Sequence, residues 1–206
     1  MKSLFKILFL SLSIFLSSNA YSQTFELTPV SGYTFPSSFD ITGGEATIQG
    51  NINYGLFFGY TTPKNKTEFE ISYVYFGSDA VASSDYLAED VVSRANIHFV
   101  LGGINQLIAA SRKTTFLAGV KFGISSLVFS EGTNTDRTKF TMGIQGGMKH
   151  YLSDRVGLRL QGSLLVPIVA EGGSLWWNPQ TGTNISGWSP FVPVSLNGGL
   201  IIRIFQ

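Results

Sequence analysis

From about residue 23 to its end the chain alternates apolar and polar residues, segment after segment, and no helical period interrupts the alternation. The clearest run is Arg155 to Ile168. Val156, Leu158, Leu160, Gly162, Leu164, Val166 and Ile168 fall on one face. Arg155, Gly157, Arg159, Gln161 and Ser163 fall on the other, with Leu165 and Pro167 as exceptions. Before it, Phe140, Met142, Ile144, Gly146 and Met148 oppose Lys139, Thr141, Gln145 and Lys149. Phe116, Ala118, Val120, Phe122 and Ile124 oppose Thr115, Lys121 and Ser125. Ala95, Ile97, Phe99 and Leu101 oppose Arg94, Asn96 and His98. Phe69, Ile71, Tyr73 and Tyr75 oppose Glu68, Glu70 and Ser72. Ile48, Ile52, Tyr54, Leu56, Phe58 and Tyr60 oppose Gln49, Asn51 and Asn53. The last run sets Val194, Leu196, Leu200, Ile202 and Ile204 against Ser195, Asn197 and Arg203; the first, Phe25 to Tyr33, is weaker and holds Pro29. These are eight strands, most of them near the roughly 9–11 residues that cross a bilayer when tilted.

The connections alternate in length. Pro36 to Gly44, Gly77 to Val91 and Glu171 to Trp188 are long, and Ser130 to Arg137 is medium. Thr62 to Lys66 and Ser153-Asp154 are short, whereas Asn105 to Lys113 is intermediate and fits least well. Transmembrane barrels have short periplasmic turns and longer outer loops, and eight strands with both ends in the periplasm reproduce that order.

The first 22 residues read differently. Lys2 and Lys6 precede an apolar core from Ile7 to Leu16, and Ala20-Tyr21-Ser22 offers small residues for a signal peptidase. Cleavage after Ser22 is expected, which makes residues 1–22 a signal peptide and 23–206 one barrel domain. The apolar run is shorter than the roughly 20 residues of a membrane helix.

A soluble barrel would place its apolar face inside, and alternation alone does not say which face is out. Charge does. Only 13% of residues are charged, against roughly 25% in soluble domains. The polar face collects Glu26, Glu68, Glu70, Arg94, Lys121, Lys139, Lys149, Arg155, Arg159 and Arg203, and the apolar face carries almost none. Lipid forbids isolated charge, while a polar lumen pairs it. The expected fold is therefore all-β, a single antiparallel eight-stranded transmembrane barrel. With a net charge of +1 the chain offers no basic field for nucleic acid, and without cysteine it holds no disulfide, thiolate metal site or lipidated N-terminal cysteine.

In the run Tyr151-Leu152-Ser153-Asp154-Arg155-Val156-Gly157-Leu158-Arg159 and the terminal Asn197-Gly198-Gly199-Leu200-Ile201-Ile202-Arg203-Ile204-Phe205-Gln206, the chain resembles the small outer-membrane β-barrel proteins of Bacteroidetes. The resemblance extends in pattern over the whole mature chain. It implies a Gram-negative outer membrane as location, outer-membrane lipid and lipopolysaccharide as surroundings, and recognition by the barrel-assembly machinery during insertion. Barrels of this kind usually end on an aromatic residue; here Phe205 is penultimate.

Two sets of residues are candidates for function. Glu26, Glu68, Glu70, Lys149, Arg155, Arg159 and Arg203 fall near the periplasmic ends of their strands and are expected to form an ionic network that seals the lumen. The alternative is separate solvated charges in a wet lumen. Trp176, Trp177 and Trp188 lie in the longest outer connection and suit either the membrane interface or contact with a ligand or envelope protein partner. Catalysis has little to work with. His98 is expected in the lumen and His150 on the outward face, and there is no G-x-S-x-G elbow, H-E-x-x-H or phosphate loop. Asp79, Asp85, Glu89 and Asp90 match no calcium loop and read as a solvated loop face. No metal, cofactor or catalytic residue is expected. The reading is a structural or interaction protein of the outer membrane, with a narrow porin-like passive pore as the alternative and a lipid-modifying enzyme third.

Overall fold

Twelve strands account for almost all of the backbone in the computed structural model, which describes residues 24–41, 44–62, 66–84, 91–129, 137–168, 176–178, 182–184 and 192–205. The expected signal peptide and Trp188 lie outside the described residues, as do Asp85, Glu89 and Asp90. In chain order the strands are β1 (Thr24–Thr34), β2 (Ser37–Ile41), β3 (Gly44–Ile48), β4 (Asn51–Thr61), β5 (Thr67–Ser84), β6 (Val91–Ala109), β7 (Thr114–Phe129), β8 (Arg137–Tyr151), β9 (Val156–Ile168), β10 (Trp176–Asn178), β11 (Gly182–Asn184) and β12 (Val194–Phe205).

Eight of them form a closed antiparallel ring in the order β1-β4-β5-β6-β7-β8-β9-β12. The ring closes where β12 meets β1, with Leu27 opposite Ile202 and Thr34 opposite Ser195. Closure gives every ring strand two partners, so backbone polar groups are satisfied without water, as a bilayer demands. The β2–β3 hairpin stands outside the ring and extends it at one end, where β3 pairs with the far end of β5 from Ile48↔Ala80 to Gly44↔Ser84. The β10–β11 ladder belongs to the last long connection.

Both termini of the barrel and the turns Thr62–Lys66, Ala110–Lys113 and Leu152–Arg155 share one end, here the turn end. Two of these turns are held by a serine that accepts backbone N–H groups: Ser111 Oγ from Thr114 at 3.0 Å and Ser153 Oγ from Val156 at 3.1 Å. The stretch from Asn105 to Lys113, intermediate on sequence, is mostly strand, because β6 continues to Ala109. Much of the expected loop from Gly77 to Val91 is strand as well, and Ala82 pairs with Val91.

Side chains alternate between lumen and surface as period two requires. Two assignments change. On β6 the expected faces are exchanged: Ala95, Ile97, Phe99 and Leu101 are buried inside, while Val100 and Ile104 are exposed outside. Arg94, Asn96 and His98 therefore point outward. Ile48 also turns in, and packs with Phe76, Ile97, Phe99, Leu101 and Leu165. The physical reason is one and the same. Toward the loop end one wall of the lumen is apolar, so parity of polarity no longer marks the inside. Leu165, an exception to the pattern of β9, belongs to this cluster.

Candidate functional site

Below the apolar cluster, toward the turn end, the lumen is filled by charge. Glu26 on β1, Glu68 and Glu70 on β5, Lys121 on β7, Lys149 on β8 and Arg159 on β9 are all buried. Alternation sends each of them inward, and the narrow ring brings them within reach of one another. Glu70 accepts from Lys121 Nζ at 2.9 Å and from Arg159. Glu68 meets Lys149, lies 3.7 Å from Arg159 Nη1, and accepts from Asn105 Nδ2 at 3.0 Å. Glu26 binds Lys149 Nζ at 2.7 Å through Oε2; its Oε1 accepts from Tyr151 Oη at 2.8 Å and Arg203 Nε at 3.1 Å.

Neutral side chains complete the set. Lys121 Nζ donates to Ser72 Oγ at 3.2 Å and stands 4.5 Å above the centre of the Phe57 ring, with Arg159 on the same ring at 5.1 Å. Arg159 Nε donates to Gln161 Oε1 at 2.8 Å, Gln161 to Gln145 at 2.6 Å, and Gln145 to Asn105 Oδ1 at 2.5 Å. Phe57 sits on β4, Asn105 on β6 and Arg203 on β12, so all eight ring strands contribute. Gly59 makes room: a Cβ there would sit 3.1 Å from the Glu68 carboxylate. Such saturation is what lets buried charge persist, since each ion has a counter-charge and further hydrogen bonds.

The structure thus joins Glu26, Glu68, Glu70, Lys149, Arg159 and Arg203. It leaves out Arg155, which is exposed in the turn after β8, where its carbonyl accepts the backbone N–H of Arg203. That position keeps the inward parity of Gly157 and Arg159 but lies one residue before β9 begins at Val156, in the turn, where alternation no longer directs the side chain. Lys121 takes the place instead, although its inward parity was visible. Phe57 was missed too. The one available signal was the run Leu56-Phe57-Phe58, in which three bulky apolar residues in succession force the middle one inside.

A smaller polar cluster lies on the other wall toward the loop end. Asn53 donates to Thr34 Oγ1 at 2.9 Å, Thr34 and Ser195 share a hydrogen bond at 2.9 Å, and Asn197 reaches Asn53. Among the described residues no group of three or more histidines and acids is placed to hold a metal ion.

Between its two ends the outer face is mainly apolar, with Ile71, Val120, Ile144 and Leu160 all half or more exposed. Aromatic rings bound it. Phe25, Phe58, Tyr60 and Phe69 cluster toward the turn end, and Tyr33 with Phe35, then Tyr73 and Tyr75 with His98, toward the loop end. Phe25 and Tyr33 are separated on β1 by about 27 Å of strand, about 20 Å along the axis at a tilt of about 40°, near the roughly 25 Å apolar band of outer-membrane barrels. His98 faces this surface, its Nδ1 3.0 Å from the hydroxyl of Tyr73, which corrects its expected place in the lumen. His150 also faces out, 2.9 Å from Thr114 Oγ1. Trp176 and Trp177 begin β10, opposite Asn184 and Thr183; their side chains are outside the described part.

No family model and no curated protein sequence matches the chain. Solved structures do. The crystal structure of Neisserial surface protein A superposes with a TM-score of 0.58 at 12% identity, covering 86% of this chain and 96% of that one. Ail, the attachment invasion locus protein of Yersinia pestis, solved in complex with the heparin analogue sucrose octasulfate, gives 0.47 at 9% identity over 87% and 99% of the two chains. At such identities the likeness is one of fold: the eight-stranded barrel.

Proposed function

We propose that the protein is an outer-membrane β-barrel with a sealed lumen, which supports the envelope and presents its loop end to lipopolysaccharide, surface ligands or protein partners. One observation carries this reading: the saturated polar cluster, drawn from seven ring strands and packed on Phe57 of the eighth, that crosses the lumen. An apolar outer face between two sets of aromatic rings supports the membrane placement. The turns and termini then lie in the periplasm and the long connections outside. In this reading the chain stands with the small Bacteroidetes barrels its sequence resembles, and the barrel-assembly machinery inserts it.

The role is non-catalytic. Both histidines point away from the lumen, each bonded to one hydroxyl, and among the described residues neither ring is paired with a carboxylate that would complete a triad. The test is electrical. The mature chain, refolded in detergent and verified as strand by circular dichroism, is inserted into a planar lipid bilayer. Silence from inserted protein is expected. Stable, reproducible conductance steps would overturn the sealed reading and put a passive pore in its place.

A further inference from the structure

The turn end holds a cavity that the sealed lumen does not account for. It has a volume of about 620 Å³ and opens between the tips of β1, β4, β6, β7, β8 and β12. Its cations are Arg112, Lys113 and Arg203, and its acids Glu26 and Asp154. Glu26 has no charge to spare, because one oxygen serves Lys149 and the other serves Tyr151 and Arg203. The Arg203 guanidinium carbon stands 3.8 Å from the centre of the Tyr151 ring; Nε donates to Glu26 and Nη1 reaches the Asp154 carbonyl at 3.4 Å, which leaves guanidinium N–H groups beyond those two. Arg112 and Lys113 sit in the turn that Ser111 pins, both exposed, and neither takes part in an ion pair among the described residues.

We infer that this vestibule binds a phosphate-bearing ligand. Three cations face one uncommitted acid across a space far larger than a carboxylate, and hydroxyls of Ser111 and Ser153 stand beside them. Guanidinium, ammonium and hydroxyl donors that line one cavity suit the several oxygens of a phosphate. The phosphate belongs either to a lipid headgroup of the adjoining leaflet or to a soluble phosphate ester. The site is independent of whether the lumen conducts.

The experiment uses the refolded full barrel in zwitterionic detergent and titrates it calorimetrically with inorganic pyrophosphate. A parallel arm uses nanodiscs of phosphatidylcholine with phosphatidylglycerol and reads retained lipid by native mass spectrometry. The substitutions R112Q/K113Q remove two charges from the cavity. The substitutions K66Q/R155Q remove two from the same rim outside it. Saturable pyrophosphate binding weakened at least tenfold by R112Q/K113Q, and less than twofold by K66Q/R155Q, supports a soluble phosphate ester. Selective phosphatidylglycerol retention with that same dependence, without pyrophosphate binding, supports a headgroup. Absence of both, or equal weakening by the two pairs of substitutions, overturns the site.

Discussion

Arg159 touches more of the lumen than any other cation described. Its guanidinium engages Glu70, lies within ion-pair distance of Glu68, donates to Gln161 and covers one side of Phe57. Removing it strands two buried carboxylates on the remaining lysines, and such a loss costs about 3–5 kcal/mol. Arg159→Met should therefore lower the urea midpoint of the detergent-refolded barrel markedly, and an unchanged midpoint would argue against a cooperative cluster. Glu70, which accepts from both Lys121 and Arg159, lets these cations sit together, and Phe57 adds to it. Lys121 and Arg159 meet on the ring, whose negative face offsets part of their repulsion.

At the scale of the element, β6 teaches most about what the sequence conceals. The pair Glu26–Arg203 follows from strand order and alternation, because the first and last strands of the ring are neighbours, so that part of the site was legible; for Glu68 and Lys149 only the shared end was. On β6 apolar residues occupy both faces between Ala95 and Leu101, and the weak polarity of Asn96 and His98 pointed the wrong way. Only the ring settles it, because Ile97 and Phe99 have Phe76 and Leu165 to pack against inside. Lys121 was in the inward set but had no visible partner, since its pairing with Glu70 depends on the diameter of the ring. The exchange of faces is directly measurable. A spin label at His98→Cys in lipid vesicles should be relaxed by membrane-soluble oxygen and shielded from a water-soluble nickel chelate. The opposite accessibility would return this strand to the other register.

For the whole molecule, depth in the bilayer sets what each outward position tolerates. Ile144 is 59% exposed at mid-strand, between Val120 and Leu164 on the neighbouring strands. Ile144→Lys should destabilise the vesicle-inserted barrel by about 2–4 kcal/mol, whereas Thr138→Lys, near the loop end of the same strand, should cost about 0–1 kcal/mol. Equal unfolding midpoints for the two would mean that this face does not meet lipid.

The ring also segregates its charges by order of synthesis. The buried acids come from β1 and β5, and the cations that answer them come from β7, β8, β9 and β12. Glu26 meets Lys149 across 123 positions of chain and Arg203 across 177. An N-terminal half that curled on itself, or paired with the same half of a sister chain, would set carboxylate against carboxylate. A C-terminal half would crowd ammonium and guanidinium groups in the same way. The three carboxylates are balanced only once Lys121, Lys149 and Arg159 have arrived on β7, β8 and β9, so the interior itself penalises premature closure and swapped assemblies before any chaperone has to reject them.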